Sequence, residues 1–148
     1  MRALSVIEEG GPVNVTLFRY AFVLILLALI GSLLIPAMAI PRLGLSAHTV
    51  GALSGVLLLA VGAIWQHFQL SKTQSAWLKW SWLYSSYINW LACFAGGVLG
   101  VGKMTPIASA GHIGSNSGEA LVTALFVSVA IASFLAVGLS LWGLRRAV

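Results

Sequence analysis

Leu43-Gly44-Leu45-Ser46-Ala47-His48-Thr49-Val50-Gly51-Ala52-Leu53-Ser54-Gly55-Val56-Leu57-Leu58-Leu59 is the stretch whose reading decides the fold. It holds no charge, and the uncharged run continues to Ser71. That is enough chain to cross a bilayer as a helix, which needs roughly 20 apolar residues. One ionisable side chain, His48, stands well inside it. An ionisable group in hydrocarbon costs several kcal/mol and persists where it has a task or a partner. Neutral imidazole is also the commonest metal and haem-iron ligand.

The rest of the chain agrees with a membrane reading. Its 148 residues are 59% hydrophobic and 7% charged, with three Glu and no Asp. Soluble domains run nearer a quarter charged. Strict alternation is absent and the apolar runs are too long for barrel strands, so spanning helices are predicted. The net charge of +5 forms no basic stripe and does not point to nucleic acid. Cys93 is the single cysteine, which excludes an internal disulfide and a zinc–cysteine cluster.

Charges divide the chain into four uncharged stretches, 20–41, 43–71, 80–102 and 120–144. They predict an all-α, integral membrane four-helix bundle, one domain over 1–148, with spans near 17–40, 44–69, 78–101 and 119–144. Pro36 is expected to kink the end of the first span, and Pro41-Arg42-Leu43-Gly44 to turn the chain into the second. Arg2, Arg19, Lys72, Lys79, Arg145 and Arg146 lie on one side, Arg42 and Lys103 on the other. The positive-inside bias then puts both termini in the cytoplasm. This fits a bacterial inner membrane. Trp77, Trp80 and Trp82 read as an interfacial aromatic belt. Ala37-Met38-Ala39 resembles a signal-peptidase site, but Glu8 and Glu9 and the following Ile40-Pro41 argue against cleavage. The loop from Lys103 to Gly118 is long for a bundle, and its Gly and Ser content predicts little packing of its own.

On the second helix, His48, Gly51, Ala52, Gly55 and Gly62 share one broad side, and Ser54 flanks it. Gly51 and Gly55 form a small-xxx-small pair that admits another helix or a flat ligand. On the third helix, Tyr84-Ser-Ser-Tyr87-Ile-Asn89-Trp90 is unusually polar for a span. Ser86, Asn89, Cys93 and Gly96 share a face. Asn89 is either a substrate-facing amide or interhelical glue. Tyr87 is a candidate donor, and Tyr84 reads as an interfacial aromatic. Asn116-Ser-Gly-Glu119 resembles a capping box. His112 reads as solvated and His67 as interfacial. His48 and His67, 19 residues apart on one helix, lie roughly 28 Å apart and cannot share one iron within one subunit. No carboxylate pair, Ser-His-acid set or nucleotide-binding glycine loop is present.

The segments 41–48, 51–55, Tyr84–Ala92 and Met104–Ala108, with Glu119, resemble the hydroxylaminobenzene mutase family, in order from about Leu33 to Leu144. The family's members are small four-helix membrane enzymes that rearrange hydroxylaminobenzene to 2-aminophenol. Their architecture resembles the styrene oxide isomerases, trimers with haem b on a second-helix histidine. The resemblance implies that His48 ligates haem iron, with Gly51 and Gly55 beside the cofactor. It implies a small aromatic substrate met by Ser54, Asn89 and Tyr87. Relatives commonly carry Asn at Ser54, and the epoxide isomerases a Tyr near Cys93, which favours the mutase branch or an undescribed relative. With no second strong axial ligand in sight, the iron keeps an open, Lewis-acidic side. Four short helices leave little room for a macrocycle, so a homo-oligomer is expected, with haem between subunits along the glycine side. The competing readings are an isomerase of the styrene oxide type that turns an aryl epoxide into an aldehyde, a haem-binding or electron-transfer subunit, and a packing protein. A small multidrug transporter is disfavoured, since the first span lacks an acidic residue.

Overall fold

Asn14 opens the first helix by accepting the backbone N–H of Leu17 on its side-chain oxygen. The computed structural model describes residues 13–145, and every regular element among them is helical. The expected positive charges at Arg2 and Arg146 lie outside the described residues. Five α-helices follow one another: α1 Val15–Ser32, α2 Pro41–Ala63, α3 Lys72–Leu99, the short α4 Pro106–Ser109, and α5 Asn116–Leu144. Three of them, α1, α2 and α5, are long and apolar enough to cross a membrane. The 28-residue α3 is longer than two of these but more polar, with Lys72 and Lys79 in its first turns and buried Ser81, Ser85 and Ser86.

Helix boundaries differ from the expected spans for local reasons. The first span stops at Ser32, because Pro36 sits in a separate 3-10 turn, Ile35–Ala37. Pro41 does not turn the chain. It occupies the first turn of α2, where its missing N–H removes a donor that has no helical partner. α2 stops at Ala63 rather than near 69, so His67 lies in a 3-10 turn, Trp65–His67, and not on the helix of His48. α3 starts earlier than expected, at a capping box in which Ser71 accepts from the Gln74 N–H and the Gln74 side chain accepts from the Ser71 N–H. It ends on Gly100 in the left-handed conformation (φ 67°), a region that favours glycine.

Packing follows chain order: α1 lies on α2, α2 on α3, and α3 on α5, while α1 and α3 barely touch. The buried residues of α1 are Leu17, Ala21, Leu24, Ala28 and Gly31, alternately four and three apart. This is a coiled-coil-like seam. Opposite it stand Gly51, Gly55 and Gly62 of α2. A Cβ at Gly51 would lie 2.7 Å from the Ala28 Cβ, and one at Gly55 would lie 3.0 Å from the Ala21 carbonyl oxygen. The glycine side of α2 is therefore filled from within the chain by α1, instead of being left open to a partner subunit.

The loop after α3 is built, contrary to its composition. Its glycines press on neighbours: Gly114 and Gly118 on Val101, and Gly102 on Ser109. Val101 itself is fully buried.

Candidate functional site

His48 projects from the edge of α2 that faces α1. Its Nδ1 lies 3.1 Å from the Ala28 carbonyl oxygen. A carbonyl can only accept, so Nδ1 carries a hydrogen, and it is the tautomer with its lone pair on Nε2 that this bond selects. A carbonyl holding the far nitrogen is the usual arrangement behind a ligating imidazole. The ring is half-buried, and small residues surround its base: Gly44, Gly51 and Ala52 are its neighbours along the helix.

Trp90 of α3 comes to the same place. Its Cδ1 would be 2.7 Å from a Cβ at Gly51, and its ring stacks on Phe94 at 5.3 Å. Its Nε1 is buried and has no hydrogen-bond partner, alone in this among the buried side-chain polar atoms of the described residues. Leaving a buried donor unpaired costs about 1–3 kcal/mol, so such an atom calls for an explanation. In the sequence Trp90 does not stand out as a site residue. The signal was its place beside Asn89 in a polar stretch of an apolar helix.

The other expected residues are distributed more widely. Ser54 is six residues from His48, which at 100° per residue puts the two about 120° apart around α2. Ser54 lies at the same edge as Leu43, which packs on Gly96 of α3. Asn89 is half-buried at the centre of the α3 face that carries buried Ser85, Ser86, Cys93 and Gly96. Tyr87 is committed elsewhere: its hydroxyl donates to the Tyr20 carbonyl at 2.7 Å. Tyr20 and Ala28 are eight residues apart on α1, about 12 Å of rise, so the Tyr87 hydroxyl is not beside the His48 ring. Gly51 and Gly55 serve helix approach. The structure thus brings His48, Gly51, Ala28 and Trp90 together and leaves Ser54, Asn89 and Tyr87 around them.

Glu119 has a different task from the expected capping box. Ser115 caps α5 by accepting the Gly118 N–H. The Glu119 carboxylate reaches back to the loop. One oxygen accepts from Gly102 at 3.0 Å and Gly114 at 3.3 Å, the other from Lys103 at 3.0 Å. His112 is exposed and folds onto its own loop through Nδ1 and the Ser109 carbonyl. No group of three or more His, Cys, Asp or Glu side chains that could hold a metal ion occurs among the described residues.

Known proteins resemble this chain over most of its length. Hydroxylaminobenzene mutase HabB of Ectopseudomonas oleovorans is 37% identical over 95% of this chain and 86% of its own length. Hydroxylaminobenzene mutase HabA of the same organism is 34% identical over 88% of this chain and 97% of its own. No solved structure matches. The styrene oxide isomerase family matches residues 13–145, and with the whole described chain inside that match, this protein belongs to the styrene oxide isomerase family.

Proposed function

We propose that this protein is a membrane isomerase that rearranges an aryl hydroxylamine to an aminophenol, with haem b held by His48. The observation that carries the reading is the Nδ1–Ala28 bond, which leaves Nε2 as a free ligand atom in an apolar span. The donor set fits a group that brings most of its own ligands. A bare ion would need several side chains, and no such cluster is present among the described residues, whereas haem iron needs one imidazole. Bound there, the iron would supply a Lewis acid to polarise the substrate oxygen.

The reaction is redox neutral. An N–O bond breaks, a C–O bond forms at the ortho carbon, and the proton lost from that carbon is balanced by one gained at nitrogen. The chain's residues would orient the aryl compound and keep out water that could intercept a ring cation. The unpaired Trp90 N–H, against Gly51, is the candidate donor for a substrate oxygen, and Asn89 and Ser54 stand on the flanking faces. The two relatives named as mutases favour the hydroxylamine. The family name favours a second reading, an aryl epoxide opened to an aldehyde by the same site.

In this reading α3 is a fourth crossing, both termini face the cytoplasm of a bacterial inner membrane, and the enzyme is a homo-oligomer, a trimer by family likeness. Support comes from the length of α3 and from Lys72, Lys79 and Arg145 lying at one end of the helices.

The test is an absorption spectrum of the purified protein, expressed with ample haem, beside His48→Ala. A Soret band lost in a still-folded variant is expected, together with turnover of hydroxylaminobenzene. A folded parent without the band would remove haem from the scheme, and a parent that converts neither hydroxylaminobenzene nor styrene oxide would remove the activity.

A further inference from the structure

Three helices meet at Gly51. A Cβ placed on it would lie 2.7 Å from the Ala28 Cβ of α1 and 2.7 Å from the Trp90 Cδ1 of α3. Carbon atoms in contact sit about 3.5–4.0 Å apart, so a methyl there needs roughly 1 Å that the packing lacks. The two neighbours differ in what they can give. Trp90 is a side chain, stacked on Phe94 but able to turn about its own bonds. The Ala28 Cβ is fixed to its backbone and moves only with α1. Ala28 is also the residue whose carbonyl oxygen lies 3.1 Å from His48 Nδ1. One residue of α1 therefore meets α2 twice, by its methyl at Gly51 and by its carbonyl at His48. Gly51 follows His48 by three residues, on the neighbouring turn of α2.

The His48 bond has little slack. N–H···O bonds run about 2.7–3.2 Å, so a retreat of α1 by about 0.5 Å would take the carbonyl out of range. A neutral imidazole released from it can carry its hydrogen on either nitrogen. With the hydrogen on Nε2, that nitrogen has no lone pair for a metal. With it on Nδ1, Nε2 is a ligand. Ala28 lies one turn before the end of α1 at Ser32, where carbonyls form the negative end of the helix dipole and favour a donor beside them.

We propose that Gly51 is a positioning residue for His48. Its missing side chain lets α1 come close enough for the Ala28 carbonyl to hold the ring as the Nδ1–H tautomer, which fixes Nε2 as the ligating nitrogen before any ligand arrives. The tautomer is a property of the chain alone; its use in holding haem rests on the function proposed above. Gly62 lies on the same side of α2, but a Cβ there would crowd Phe18 and Leu17, far from His48 along α1. It is a matched control for loosening of the seam.

The experiment uses the full-length protein in detergent, purified without added haem and carrying isotopically labelled histidine, read by nitrogen NMR at a pH where the rings are neutral. The chain has three histidines, and His48→Ala identifies the His48 signals. The parent is expected to show one His48 tautomer, with Nδ1 protonated and Nε2 bare. Gly51→Ala should give a mixture of tautomers, Gly62→Ala should keep the parent pattern, and adding Ala28→Gly to Gly51→Ala should restore the single tautomer. A parent His48 with its hydrogen on Nε2 would overturn the proposal. So would a folded Gly51→Ala with the parent pattern, or a Gly62→Ala that mixes the tautomers equally. Failure of Ala28→Gly to restore the ring would overturn it too, by placing the effect on Trp90 and not on α1. Should Gly51→Ala not fold, Ala28→Val crowds the same contact from the α1 side and takes its place. Loaded with haem, Gly51→Ala should hold the group about tenfold more weakly than the parent, read by transfer to apomyoglobin. Equal retention would overturn the link from tautomer to ligand. A parent without a Soret band overturns the haem reading alone, because the tautomer is read on the haem-free chain.

Discussion

Two residues carry opposite kinds of information. Trp90 holds a buried N–H without an acceptor. Replacing it by Phe keeps an aromatic ring against Gly51 and Phe94 and removes the orphan donor. If the N–H served stability, Trp90→Phe would weaken the fold. We expect the reverse: unfolding in detergent at the same or higher denaturant, since an unpaired buried donor costs about 1–3 kcal/mol. At the same time kcat/KM for the aryl hydroxylamine should fall about tenfold if a substrate oxygen accepts that hydrogen. A variant that loses stability but keeps activity would make Trp90 a packing residue. Glu119 is satisfied instead, three times over, by loop amides of Gly102, Lys103 and Gly114. Gln offers one acceptor oxygen, and its amide nitrogen would face a backbone donor. Glu119→Gln should speed hydrogen exchange at those three amides about tenfold or more, with α2 amides unmoved. Equal protection in both proteins would show that the glycine contacts alone hold the loop.

The helices divide their glycines into seam and surface. At Gly55 an added Cβ meets Ile25 and the Ala21 carbonyl, so backbone would have to shift. At Gly138 of α5 nothing lies within 4 Å. Gly55→Ala should therefore cost about 1–3 kcal/mol through overpacking. Gly138→Ala should be neutral or stabilise by up to about 1 kcal/mol through helix propensity. Reversible unfolding of the two variants side by side checks both signs. This pair also shows how far the sequence could be read. Residue type and spacing made His48, Gly51 and Gly55 stand out, because polar and small residues are conspicuous in hydrocarbon. Which helix fills the glycine side was not legible, since Ala28 and Trp90 lie more than twenty residues away on either side. Boundaries were missed where local chemistry competed with hydropathy. Ser71-Lys-Thr-Gln74 is a readable cap, but it lies in a polar stretch that hydropathy assigns to a loop. The Glu119 clamp was hidden for the same reason as the glycine seam, two of its three partners, Gly102 and Lys103, being remote in the chain.

Across the molecule, α1, α2 and α3 share one cluster that includes Leu17, Leu24, Leu58 and Leu83, while α5 is attached differently. Beyond Gly118 in its first turn, its buried residues Val122, Val129, Ala136 and Gly143 recur every seven positions, a single narrow stripe along the helix. Hydropathy cannot reveal such a stripe, because the exposed faces of α5 are as apolar as the buried one. Two side-chain bonds reinforce the seam: Trp82 Nε1 donates to the Ser140 hydroxyl at 3.1 Å, and Tyr84 donates to that of Ser128 at 3.0 Å. In water such bonds compete with solvent; in a membrane they compete with whatever partners the separated helices find, and are worth about 0.6 kcal/mol on average, up to about 1.7. A double-mutant cycle of Trp82→Phe and Ser140→Ala should give a coupling in that range, read from unfolding midpoints. A coupling near zero would leave the heptad stripe as what holds α5 to α3 at that level, and would make α5 the helix that separates first when the molecule is loosened. The same looseness would spare the His48 end, because Ala28, Gly51 and Trp90 all lie within the first three helices. The difference is measurable: exchange protection in α5 should fall before that around His48 as denaturant rises.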